Sequence, residues 1–122
     1  MSSHESLVAF QHRDWASIPV EHIAEGIERQ MIWGERLMVC RLSFKPHVVT
    51  AVHSHPHEQI TIVERGTVEF IVDGQKRIAA AGDVLHFPAH IQHGATMLGD
   101  DVVLVDIFSP LREEFLPSAG SR

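Results

Sequence analysis

Residues 53–59 read HSHPHEQ, with three histidines on alternate positions followed by an acid and an amide. On a continuous strand His53 and His55 point to one face, because side chains alternate with period two. Gln59 shares their parity and Glu58 does not, unless Pro56 breaks the register. Two imidazoles at i and i+2 with another donor nearby are a way for a strand to offer a metal several ligands. Neutral imidazole suits zinc, copper, iron and nickel, whereas carboxylate and carbonyl oxygens suit harder ions. The same seven residues also fit a histidine-rich surface turn or a packed structural patch, and a single His-x-His does not decide among these. Of the other histidines, His4, His12, His22 and His47 read as solvated or packing residues and His57 as a loop residue or a support. His86 and His90 fit a structural role as well as a functional one.

Whatever positions these groups has to be built from 122 residues, 13.7 kDa, which is the size of one domain. With 44% hydrophobic and 21% charged residues the chain can bury a core. Short runs rich in Val, Ile, Thr and Phe recur between Gly, Pro and Asp signals: GIERQMIW, RLMVCRLSF, HVVTAVHSH, QITIVERG, TVEFIVDG, QKRIAAAG, DVLHFPA, HGATML and DVVLVDIFS. In TVEFIVDG, Val68, Phe70 and Val72 alternate with Thr67, Glu69 and Asp73, the pattern of a half-buried strand, with only Ile71 off pattern. Asp73-Gly74 then predicts a two-residue hairpin, since a type I′ turn needs positive φ at both central residues. Helix signals are thin: DWASIPVEHIAEGI and PLREEFL each have room for one turn. Eight to ten short strands in one small domain predict an all-β sandwich or small barrel. Residues 1–13 and 118–122 read as flexible ends.

Net charge is −6, and no run of Lys or Arg interleaves with aromatics, so nucleic acid is not an expected partner. In so acidic a chain, an arginine near a site is informative about anionic substrates. The single cysteine, Cys40, excludes an intramolecular disulfide and reads as a buried strand residue. No apolar core of signal-peptide length begins the sequence, and no segment approaches the roughly 18 apolar residues of a membrane span. No membrane association is expected, and a cytoplasmic location is expected by default.

Gly66 follows Gln59 after six residues, and Gly82, Pro88 and His93 follow in GDVLHFPAHIQH. This spacing resembles the two-motif signature of the cupin superfamily. His53, His55, Gln59 and Gly66 fit the first motif, with Gln59 where the acid usually stands and Lys45-Pro46-His47 in place of the opening glycine. Gly82, Pro88 and His93 fit the second, with His90 replacing its second glycine and Met97 its asparagine. The resemblance implies a single small cupin β-barrel of jelly-roll type over residues 14–117. It also implies that His53, His55, Gln59 and His93 converge on one divalent metal ion (Zn, Ni, Fe or Mn). The family spacing selects Gln59 over Glu58. Three imidazoles and an amide oxygen form a neutral set that leaves the metal's charge undiminished toward substrate and disfavours higher oxidation states.

The span HSHPHEQITIVERGTVEFIVDGQKR, AGDVLHFPAHIQHGA and DIFSPLREEFL is similar to the small pectin-degradation cupins. That family linearises 4,5-unsaturated uronate monosaccharides to open-chain keto-uronates, which implies an enzyme acting on an anionic sugar acid. Its closing Asp-x-Phe-Ser-Pro-x-Arg pattern carries over as Asp106, Phe108 and Arg112. Asp106 would move a proton, Arg112 would clamp the carboxylate with its fork of N–H donors, and Phe108 would orient the ring. Against this stands a plain structural reading, in which Asp106 and Arg112 pair on the surface and Phe108 belongs to the core. Two other functions remain open beside the uronate one: a metal-dependent oxygenase of a small organic acid or phenol, and a non-catalytic sugar-binding cupin. Substitutions at Glu64, Arg65, His86 and His90 are positioned to reshape the pocket. A homodimer is expected from the apolar residues between Ile18 and Trp33 and the strand edge they would expose.

Overall fold

The computed structural model describes residues 10–117, so the expected flexible ends fall outside the described residues except for 10–13. All nine apolar runs form strands: β2 (Ile27–Trp33), β3 (Met38–Phe44), β4 (Val49–His53), β5 (Glu58–Arg65), β6 (Thr67–Val72), β7 (Gln75–Ala80), β8 (Val84–Phe87), β9 (His93–Met97) and β10 (Val102–Ser109). A tenth, β1 (Glu21–Ala24), lies in the segment where a helical turn was expected. There the helical content is a 3-10 turn, Trp15–Ser17, capped by Asp14, whose carboxylate accepts from the Ser17 N–H at 2.9 Å. Pro19 explains the stop. It lacks a backbone donor and biases Ile18 toward extended geometry, and Ile18 sits at φ −91°, ψ 125°. The second expected turn is present as Glu113–Phe115. Among the described residues no helix is long and apolar enough to cross a membrane.

The strands form two antiparallel sheets, one of order β1-β2-β3-β10-β5-β8 and one of order β4-β9-β6-β7. From β3 onward every connection except the β6–β7 hairpin passes from one sheet to the other, the winding of a jelly roll. The sheets are not joined into a closed ring by hydrogen-bonded pairs. The hairpin turn is as expected, with Asp73 at φ 50° and Gly74 at φ 82°. His47 and His90, standing where the two motifs lack their glycines, also adopt positive φ, 68° and 70°. The backbone demand for the left-handed region therefore persists, and histidine is among the residues that tolerate it.

Period-two alternation fills the space between the sheets. From β5 the inward residues are Gln59, Thr61 and Val63; from β6, Val68 and Phe70; from β3, Met38, Cys40 and Phe44. On β10 the parity of Val102, Leu104 and Phe108 turns Asp106 inward as well. The apolar interior is split. One cluster contains Phe44, Val63, Val68, Phe70, Phe87, Met97 and Leu104; the other contains Met31, Met38, Cys40 and Phe108. Between them lies a cavity of about 300 Å³. Cys40 is fully buried as expected, and burial pushes its thiol up to about 12, so it is no nucleophile at neutral pH.

Candidate functional site

HSHPHEQ is not one strand. β4 ends at His53, residues 54–57 cross between sheets, and β5 starts at Glu58. Strand parity therefore does not bring His53 and His55 together; the sheet crossing does. His53 ends β4 in register with His93, the first residue of β9. His55 is delivered from the crossing segment, where the His90 N–H donates to its carbonyl at 2.8 Å. Gln59 comes from β5, opposite Phe87 and Phe108. The His53 and His93 rings lie 4.4 Å apart, His55 and His93 5.0 Å, and one ring nitrogen from each of the three lies within 4.8 Å of the others. His55, Gln59 and His93 are buried, and His53 is open to solvent.

Each of the three imidazoles faces a backbone carbonyl through Nδ1: His53 to Ala51 at 2.9 Å, His55 to His57 at 3.0 Å and His93 to Ile91 at 2.9 Å. A carbonyl only accepts, so Nδ1 carries the proton and Nε2 keeps its lone pair. Holding one ring N–H in this way orients the ring and raises the basicity of the other nitrogen. Burial, followed by Arg112 and His93, lowers the His55 pKa to about 4, and burial also lowers that of His93, so both rings are neutral at pH 7. The His93 Nε2 is buried with no hydrogen-bond partner. The His55 Nε2 meets the Gln59 Oε1 at 3.1 Å, acceptor against acceptor. An orphaned lone pair and two opposed acceptors in a buried corner are what a cation satisfies, and the donor set fits a divalent metal ion.

From Gln59 a hydrogen-bonded chain leads to Asp106. The Gln59 amide N–H donates to Thr61 Oγ1 at 2.8 Å, and the Thr61 hydroxyl donates to Asp106 Oδ1 at 2.7 Å. With a carboxylate at its end the chain has one polarity, and this turns the Gln59 carbonyl toward the histidines. Burial raises the Asp106 pKa to about 6, against the opposing pull of the Thr61 bond and of Arg112. Arg112 lines the same cavity, its guanidinium 5.2 Å from the Phe108 ring centroid and 4.3 Å from that of Phe115. Its Nε and Nη2 donate to Glu114 Oε2 at 3.0 and 2.8 Å. The alternative of an Asp106–Arg112 surface pair is thus not what the fold builds. Phe108 is buried in the second cluster, as the structural reading expects, and its ring also meets His55 edge-on at 5.7 Å.

The other groups weighed from the sequence face elsewhere. Glu58 pairs with His86 at 2.6 Å on the exposed surface. Glu64 pairs with Arg41 at 2.6 Å, and His90 is exposed, acting through its backbone. None of Glu64, Arg65, His86 and His90 lines the cavity. His57 is half-buried, edge-on to His55 with ring centroids 5.4 Å apart. Sequence reasoning passed over Thr61, the link between Gln59 and Asp106. The signal was available: a polar residue at the inward parity of QITIV needs an internal partner.

Residues 40–108 match the family model of the cupin domain. With two jelly-roll sheets around a histidine cluster at the spacing of both motifs, the chain belongs to the cupin family. Within it, the chain is 36% identical over 100 residues to the pectin degradation protein KdgF of Dickeya dadantii (strain 3937), covering 80% of this chain and 91% of that protein. Among solved structures it is similar to an RmlC-like cupin from Shewanella frigidimarina NCIMB 400, with a TM-score of 0.81 at 33% identity over 85% of this chain and 94% of that one. It is also similar to KdgF from Halomonas sp., with a TM-score of 0.77 at 33% identity over 80% of this chain and 91% of that one.

Proposed function

We propose that this protein is an enzyme that converts 4,5-unsaturated uronate monosaccharides to open-chain keto-uronates, as the third of the sequence it shares with a pectin degradation protein suggests. The observation that carries the reading is the placement of Asp106: joined through Thr61 and Gln59 to the histidine cluster, it shares one cavity with Arg112. His53, His55, Gln59 and His93 are the proposed ligands of a divalent ion (Zn, Ni, Fe or Mn), supported by the inward lone pairs. Such an ion supplies a positive centre that polarises substrate oxygens.

Arg112 receives the substrate carboxylate, displacing or sharing it with the exposed Glu114. Phe108 gives the ring an apolar wall. Asp106, with a pKa near 6, gives a proton to C4 of the enol ether and takes one from the water that adds at C5. The resulting hemiketal opens as the bond from C5 to the ring oxygen breaks and the C5 hydroxyl proton passes to that oxygen, leaving a ketone at C5 and a hydrated aldehyde at C1 that releases a water. Thr61 and Gln59 hold the Asp106 carboxylate in place. The cavity volume of about 300 Å³ sits at the small end of ligand sites and suits a monosaccharide. Separately, we propose that the protein is a homodimer and that it is cytoplasmic. Support comes from β1, a sheet edge with all four residues exposed and Ile23 at 43% and neighbouring Val20 at 57% exposure.

The unsaturated ring absorbs in the near ultraviolet through its conjugated carboxylate. Metal-loaded protein under anaerobic conditions should erase that band, and metal-stripped protein should not. Turnover that requires oxygen would replace this reading with oxygenase chemistry. Binding without loss of the band, whichever divalent ion is supplied, would make the protein a binding module.

A further inference from the structure

The cavity contains a second arginine. On β2, Ile27 packs against the first core cluster and Met31 belongs to the second, so alternation turns Arg29 to the same inner face. Its side chain is 11% exposed and lines the cavity with His53, Asp106 and Arg112. The guanidinium lies 4.4 Å from the centroid of the Phe115 ring, the ring that also carries Arg112 at 4.3 Å. Its side-chain hydrogen bond among the described residues is one contact, Nε to Glu21 Oε1 at 3.2 Å, and that carboxylate is 45% exposed. Both Nη groups are left without a side-chain acceptor among the described residues. The neighbouring walls, Ile27, Leu42, Phe44 and Leu104, supply no acceptor side chain. A nearly buried guanidinium held by a single N–H contact keeps most of its donors for something that enters.

We infer that Arg29 is a second anion-binding residue of the cavity, which together with Arg112 grips the carboxylate end of the ligand and selects sugar acids over neutral sugars of equal size. This rests on the uronate reading above and adds a residue outside the closing strand. A guanidinium fork matches a carboxylate, and with two guanidinium groups against a single acid, Asp106, the charged lining of the cavity favours an anion. The competing role is structural: Glu21 and Arg29 are direct cross-strand partners, and the pair would then serve only to hold β1.

Calorimetric titration of the metal-loaded protein with galacturonate, which lacks the reactive double bond, and with neutral galactose separates the roles. Wild type should bind the acid and discriminate against galactose. Arg29→Gln should weaken galacturonate tenfold or more, and should raise KM for the unsaturated uronate by a similar factor with kcat changed less than about threefold. Arg29→Lys, which keeps the charge for the Glu21 pair but not the fork, should restore folding stability and only part of the affinity. Glu21→Gln should leave galacturonate affinity intact. If Arg29→Gln binds galacturonate like wild type, or Glu21→Gln weakens it equally, the pair is structural and the inference falls. If Arg112→Gln loses affinity while Arg29→Gln does not, the uronate reading survives and this one fails. If wild type neither binds nor converts any uronate, both fail.

Discussion

Three imidazoles with Nδ1 tied to the carbonyl two residues earlier or later keep their Nε2 lone pairs, and one ring nitrogen of each lies within 4.8 Å of the others. The proposed ligand set makes a direct prediction. His93→Ala should lose most of the bound metal in elemental analysis, whereas Glu58→Gln should keep one ion per chain, because Glu58 is turned outward to His86. The reverse result would sink the assignment. Asp106 carries a prediction with two opposite signs. Asp106→Asn should lower kcat by two or more orders of magnitude with metal retained. In metal-free protein the same change should stabilise the fold at pH 7. The folded pKa lies above the usual 3.8, so the folded state binds the proton more tightly and loses stability as pH rises from about 4 to about 6. The ceiling of that cost is roughly 3 kcal/mol. Urea denaturation should therefore show the variant gaining most above pH 6 and little near pH 4.

At the scale of elements, the cavity depends on chain crossings between the sheets, and these rest on a few tight positions. Gly66 joins β5 to β6 at φ +85°, and a Cβ there would stand 2.5 Å from the Asp101 carbonyl oxygen and 2.9 Å from Val102 Cγ2. Gly74 has a similar φ, +82°, but open space around it. Gly74→Ala should thus cost only left-handed strain, about 1–2 kcal/mol, and Gly66→Ala about 2–4 kcal/mol because a backbone atom must also move. Chemical denaturation of the two variants side by side checks the ordering, and equal losses would mean the close approach at Gly66 relaxes freely.

For the whole molecule, the six-stranded sheet ends on β1, a short strand with one hydrogen-bonded neighbour and apolar side chains in solvent. The proposed homodimer covers that edge. Light scattering at micromolar concentration should give twice the chain mass of 13.7 kDa. Ile23→Lys should shift the population toward single chains, since a charge on an edge strand opposes pairing. A wild-type mass of one chain would overturn the dimer without touching the site. Both proposed arginines depend on Phe115, whose ring contacts both guanidinia, and Arg29 is also tied to Glu21 of β1.

Nine of the ten strands and the Asp73-Gly74 hairpin were legible in the sequence, because period-two burial and turn chemistry act between near neighbours. So were the two motifs that supply His53, His55, Gln59 and His93, through their spacing. β1 was not, since a four-residue strand with every side chain exposed has no burial pattern to read. Strand parity paired the right residues for the wrong reason: His55 lies beyond the end of β4, and the crossing from one sheet to the other brings it to His53. Which acids face inward was likewise decided by tertiary structure. Glu58 finds His86 across the β5–β8 ladder, and Asp106 finds Thr61 across β10–β5, where the two are register partners. Arg29 and Arg112, far apart in sequence, both reach the Phe115 ring and line one cavity. Local chemistry selects each element, but the register between strands distant in sequence selects which side chains share a cavity, and no window of neighbouring residues contains that information.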